Sequence, residues 1–435
     1  MKNKKAAASF ILSLSFLLGE TVNGKIMPWF VEPIVAGLIV FVESRYILAS
    51  GIVRMSKKVM NILLIPCFAA VLYTLAGSLI GGDTFAFTLL RSVSTAGQFV
   101  YILLLSAILL LIFREDSVDV LCNAMILYYG YSLVIALHGI GVRGIVQYLA
   151  APQMWNSRTM GNGINYLERH DLGAAVGLLI IHKLFCGGGG DKKNNPHQMF
   201  LLFFVLWGCN KRIEMLAFVV TFIFGVIMNT FKRVKNLIQD FLFASIFVCC
   251  FLYIILVVGE YLVALAQMYG LDIGGRVGLF ASASEFYDLS FTYMGRGYGF
   301  ISKFLDSIKN THYSWALGNA WMGAMHNDIV ATYIDIGAWG SFLWFAHYLL
   351  IVPAYFRKNF GCHAKYVYCL MMVFAYISYT MDNTMYYFVF RLALYVVIFS
   401  ACYRSMQISR RGDEILEGQE SYSPSSVEGV RAAGL

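Results

Sequence analysis

Along the chain, continuous apolar runs, most of them close to 20 residues, alternate with short polar clusters as far as about residue 403. Wound as a helix at about 1.5 Å per residue, such a run crosses a hydrocarbon core of roughly 30 Å. The runs do not alternate polar with apolar, so they predict helices and not barrel strands. About twelve spans are expected, over 6–22, 28–49, 60–81, 85–113, 119–140, 169–186, 198–208, 213–229, 237–265, 328–353, 366–384 and 386–403. No internal repeat is evident.

Composition agrees with that pattern. Of 435 residues, 59% are hydrophobic and 13% charged, which excludes an ordinary soluble domain with its roughly 25% charged share. The expected fold class is therefore an all-α polytopic membrane protein. With the N-terminus inside, the basic clusters "RMSKK", "KLFCGGGGDKKNNPHQ", "FKRVKN", "FRKNFGCHAK" and "YRSMQISRR" all fall on the cytoplasmic side, as the positive-inside rule requires. Two longer loops, about 141–168 and 266–326, then face outward, within a membrane domain spanning 1–403. The segment 404–435, rich in Ser, Glu and Gly, is expected to form a disordered cytoplasmic tail.

The nine cysteines show no CxxC spacing and the eight histidines no HxxxH pair, so no metal site is indicated. Candidate chemistry gathers instead on the outer side. Arg143, Arg158, Arg169, Lys211, Arg212, Arg276 and Arg296 map there despite the positive-inside rule. The planar guanidinium fork suits a lipid-linked phosphate or diphosphate, although salt bridges or snorkelling to phospholipid headgroups use the same groups. The run 198–208 is too short to cross alone, so Lys211, Arg212 and Glu214 are expected below the outer surface, where charge marks a functional site unless Arg212 and Glu214 simply pair. Arg391 and Asp382 are read as a structural ion pair across a tight outer turn.

In the second outer loop, "RVGLFASASEFYDL" has the spacing of an amphipathic interfacial helix. The following "GRGYGF" offers glycine backbone N–H groups to an anion, or forms a plain turn. "MHNDIVATYIDIGAWGSF" then opens a span with polar groups, and a regular helix would align Asp328, Thr332, Asp335 and Trp339 on one face. Asn327 or Asp328 is expected to cap that helix and leave His326 facing an outer cavity.

This order of motifs resembles the O-antigen polymerase and O-antigen ligase superfamily. The resemblance rests on His326-Asn327, Asp335, Gly337 and Gly340, on "GGRVGLF" and "GRGYGF" before them, and on "NKRIEMLAF", and it covers about residues 208–342. It implies a roughly twelve-span architecture resembling lipid-linked glycosyltransferases of the GT-C type, in the bacterial inner membrane with the active site facing the periplasm. It further implies transfer of an undecaprenyl diphosphate-linked oligosaccharide, without cofactor, metal or nucleic acid. His326 would be the catalytic histidine. Arg212, Arg276, Lys211 and Arg296 would bind diphosphate, supported by Asn327, Asp328, Asp335 and Glu214. Lys211 stands where the family often has serine, and Asp335 where it commonly has glutamate.

Within the resemblance, a polymerase joining lipid-linked repeats is the first reading and a ligase transferring the glycan to lipid A core the second. Donor, acceptor and membrane lipid are the implied partners, with room for a chain-length regulator protein. A transporter or flippase for lipid-linked oligosaccharide is the reading from a different class. It would call for repeated halves and polar groups near the bilayer midplane.

Overall fold

The computed structural model describes residues 2–21, 50–80, 82–150, 167–186, 195–269, 280, 283–308 and 325–421. Among them all regular structure is helical. In chain order the helices are α1 (Lys2–Thr21), α2 (Ser50–Leu79), α3 (Asp83–Phe113), α4 (Ser117–Ala150), α5 (His170–Phe185), α6 (Pro196–Gly208) and α7 (Arg212–Thr230). They continue with α8 (Lys235–Val258), α9 (Tyr261–Met268), α10 (Phe300–Ile308), α11 (Asp328–Ala346), α12 (Val352–Phe360), α13 (Cys362–Tyr379) and α14 (Phe388–Ser421). Among the described residues six stretches are long and apolar enough to cross a membrane: Gly51–Leu79, Asp83–Ala150 (which holds both α3 and α4), Arg212–Thr230, Lys232–Val258, Asp328–Phe360 and Phe388–Ile408. The chain is thus an all-α polytopic membrane protein.

Burial ranks the helices. In its most apolar window α14 is 89% buried, against 28% for α7 and 33% for the stretch holding α8. α14 packs against α3, α5 and α13, while α7 and α8 leave wide apolar faces turned outward. Such faces suit lipid, which does not penalise an exposed Leu or Phe as water does.

The helix ends sort into two rims. At one rim Lys5 pairs with Asp116, Lys183 with Asp119 and Lys365 with Asp240. At the other, Tyr148 donates to the carbonyl of Gly208, Tyr253 to that of Thr380, and Lys211 pairs with Asp382. The first rim carries the basic clusters that the positive-inside rule gathers on one side; the second carries the candidate site.

Several expectations change. The span expected at 28–49 lies outside the described residues. α4 does not end at 140 but continues to Ala150 through a break at Gly141, whose φ of 65° only glycine adopts freely. The single span expected over 237–265 is divided into α8 and α9 by Gly259 and by Glu260 at φ 61°. α14 runs on to Ser421, so the tail is helical well beyond 403. The amphipathic helix expected over 276–289 lies partly outside the described residues; of the described ones Phe280 and Ala283 are helical and buried, Ser284–Phe286 forms a 3-10 turn, and the chain is irregular from Tyr287. Trp339 leaves the buried stripe because Gly337, at φ 73° and ψ −173°, breaks α11 between it and Asp335. Trp339 is 60% exposed, whereas Asp328, Thr332 and Asp335 are buried.

Candidate active site

Four chain segments meet at the second rim: the start of α5, the turn 209–211 between α6 and α7, the entry to α11, and the link 380–387 between α13 and α14. Each is brought there by a local feature. α6 has 13 residues and rises only about 20 Å, so the turn after it sits short of a full crossing. Asn210 adopts φ 53°, which lets the chain reverse directly into α7. Gly173 in α5 lets that turn approach, since a Cβ there would lie 3.0 Å from the Cβ of Cys209. His326 also holds a left-handed conformation, at φ 50°, and its backbone N–H donates to Asn383 Oδ1 at 2.7 Å.

Asp382, fully buried, is the hub. Its Oδ1 accepts from the Asn383 backbone N–H and the Tyr387 hydroxyl, each at 2.9 Å, and lies 3.5 Å from His326 Nδ1. Its Oδ2 lies 3.0 Å from the Lys211 ammonium. Burial would raise the Asp382 pKa. The hydrogen bond from His326 and the charge of Lys211 outweigh burial and hold it well below the ordinary carboxylate range. Asp382 is therefore a fixed anion at the rim.

The His326 side chain keeps 36% of its surface exposed while its Nδ1 faces this anion. A carboxylate at Nδ1 favours the tautomer protonated there, which leaves Nε2 as an acceptor toward the open side. The carboxamide nitrogen of Asn383, 3.2 Å from the same Nδ1, serves the alternative tautomer. The arrangement is that of an oriented general base.

Lys211 links this pair to a second one. Its ammonium lies 2.9 Å from His170 Nδ1, and His170 Nε2 lies 3.2 Å from Glu168 Oε1. Lysine can only donate, so His170 accepts at Nδ1 and donates through Nε2–H to Glu168. That bond from His170, together with the charges of Lys211 and Arg212, lowers the Glu168 pKa. The result is a run of alternating groups, Glu168, His170, Lys211, Asp382 and His326, across four separate parts of the chain.

The other expected residues divide. Asn327 caps α11, its Oδ1 accepting from the Val330 N–H at 3.0 Å, and its Nδ2 donates to Tyr253. Asp328, buried, accepts from the Met385 N–H at 2.7 Å and ties α11 to the 380–387 link. Glu214 is buried and accepts from the Ser378 hydroxyl at 2.7 Å, so it does not pair with Arg212. Arg212 is exposed beside Lys211. Arg276 and Arg158 lie outside the described residues.

Two expectations are corrected here. Arg391 does not pair with Asp382; it donates to Gln98 at 3.2 Å and to the Tyr386 carbonyl at 3.4 Å, while Lys211 takes the carboxylate. The glycine turn "GRGYGF" does encircle an anion, but an internal one. Asp335 carboxylate oxygens accept from the Gly299 N–H at 2.7 Å and the Ile301 N–H at 3.0 Å, and its carbonyl accepts from Gly297 at 2.8 Å and Arg296 at 3.1 Å. Those N–H groups are thus occupied. The Arg296 side chain donates through Nε to the Phe286 carbonyl at 3.1 Å, bracing this loop. Asp335 and Arg296 organise the outer loop and take no part in the contacts around His326.

Asp382 was noticed in the sequence but given the wrong partner, and Asn383, Tyr387, His170 and Glu168 were missed. The available signal was their position: all lie where apolar runs end on the side that carries His326. Among the described residues no three His, Cys, Asp or Glu side chains are grouped as a metal site requires. No protein-family model matches the chain, and no curated protein sequence matches it.

Proposed function

We propose that the chain is a polysaccharide polymerase, of the O-antigen or a related type, with His326 as its general base. It would join lipid-linked repeat units at the periplasmic face of the bacterial inner membrane, within a twelve-span architecture of GT-C type. The observation that carries this reading is the His326–Asp382 pair: a partly exposed imidazole whose Nδ1 faces a buried carboxylate. In the reaction an acceptor hydroxyl oxygen bonds to the donor's anomeric carbon and gives its proton to His326 Nε2. The bond from that carbon to the diphosphate-lipid breaks, and the electron pair leaves on the diphosphate oxygen. Cations aimed at those oxygens stabilise the growing charge, and removing one such donor typically costs about a hundred- to a thousandfold in rate. Arg212, exposed beside Lys211, is the described candidate, joined by Arg276 from the sequence resemblance. Lys211, engaged by Asp382 and His170, holds the carboxylate in place.

The test is incubation of purified protein with a synthetic undecaprenyl diphosphate-linked repeat, followed by a gel for ladders. A ladder from the native chain, lost in His326→Ala without loss of membrane insertion, is expected. A normal ladder from that variant would refute the role of His326. In a deletion strain, single capped repeats support the polymerase, whereas accumulated full-length lipid-linked chains indicate the ligase. Movement of labelled substrate across liposomes with no sugar joined indicates a transporter.

A further inference from the structure

At the opposite rim, away from His326, α8, α12, α13 and the turn before α12 enclose a groove of about 510 Å³. Its cause is legible in the chain. Pro353 lacks an N–H and its ring presses on the carbonyl four residues earlier, so the helix loosens into a π-helical turn at His347–Ile351. His347 and Tyr348 anchor that turn to α2 through the carbonyls of Ile62 and Leu63, at 2.7 and 2.8 Å. Leu349 and Leu350 then line the groove with Phe243, Pro353 and Ala354.

The mouth has the opposite character. Arg357, Lys358 and Lys365 stand there with a single carboxylate, Asp240. Lys365, almost wholly buried, is held by Asp240, whose own side chain is 54% exposed. That pair neutralises itself and leaves Arg357 and Lys358, both exposed, as two positive charges over an apolar cleft. Leu350 and Ile351, 44% and 52% exposed, continue the apolar wall onto the outer face of the bundle. A ligand that satisfies both halves carries one phosphate and one hydrocarbon chain.

We propose that this groove binds an acidic glycerophospholipid, its phosphate between Arg357 and Lys358 and one acyl chain along Phe243, Leu349 and Leu350. Free phosphate would use only the mouth, and a zwitterionic lipid would place its own cation against the two basic residues. The basic rim matches the leaflet where acidic headgroups meet basic pockets between helices.

The test is native mass spectrometry of the full chain released from detergent after titration with phosphatidylglycerol, phosphatidylcholine or inorganic phosphate. Saturable retention of one phosphatidylglycerol is expected. The double variant Arg357→Ala, Lys358→Ala should weaken it roughly thirtyfold, from the usual contribution of two basic residues near an acidic headgroup. Leu350→Trp, which fills the cleft and leaves both charges in place, should also displace the lipid. Equal retention of phosphatidylcholine, equal protection by inorganic phosphate, or retention unchanged in both variants would overturn the proposal.

Discussion

Asp382→Asn is the most informative single change at the site, because it preserves shape and removes only charge. The Oδ1 contacts to the Asn383 N–H and Tyr387 can survive, but an NH2 group replaces the oxygen 3.0 Å from the Lys211 ammonium. Breaking a buried ion pair from one side costs about 3–5 kcal/mol when the remaining charge stays dry. Lys211 keeps 14% exposure and its contact to His170, so water can reach it, and a loss of about 2–3 kcal/mol is expected. Lys211→Met should cost more, about 3–5 kcal/mol, because it strands a carboxylate with no exposed surface. The double variant removes both charges and should fall short of the sum by roughly 2 kcal/mol or more. Unfolding in mixed micelles, followed by fluorescence of the seven tryptophans, measures all four corners. Additivity within about 0.5 kcal/mol would refute the ion pair. In the polymer assay Asp382→Asn should lower the rate about a hundred- to ten-thousandfold, since His326 loses the anion that favours its reactive tautomer. An undiminished rate would remove Asp382 from the mechanism.

Further outcomes follow from the same contacts. Because the Asp382 and Glu168 carboxyls are held below their ordinary values, the stability they contribute is complete above about pH 4 and fades as pH falls through the folded values. The gap between native protein and Asp382→Asn should thus stay constant from pH 7 to about pH 5 and close in stronger acid; a gap that widens on acidification would reverse the assignment. Asp335→Asn should destabilise the outer loop by about 1.5–3 kcal/mol for each charge-assisted bond weakened, read as faster proteolysis at 283–308. The product formed per folded molecule should stay near that of the native chain, which a direct catalytic role for Asp335 would not allow. Gly337→Ala places a Cβ 2.4 Å from the carbonyl oxygen of Tyr293 at a φ of 73°, so it should reduce the yield of folded protein severely. Normal yield would show that the break in α11 is not required.

The all-helical, multi-pass character was legible because lipid imposes one rule on the whole chain: a backbone in hydrocarbon must bond to itself, and a stretch of about 20 apolar residues announces that it does. The capping role of Asn327 was also legible, since it follows from local geometry at a helix start. Breaks at Gly141, Gly259 and Gly337 were not, because glycine occurs equally within unbroken helices, as at Gly177 and Gly225.

The sequence by itself determined an all-helical, multi-pass protein with His326 at a helix start and its basic clusters sorted by side. Only the tertiary structure decided which charges meet. It gave Asp382 to Lys211 and His326 in place of Arg391, and turned Asp335 inward to the glycine loop. The reason is that pairing energy depends steeply on separation and burial, and residues 170, 211, 326 and 382 acquire both only when four helix ends arrive at one rim.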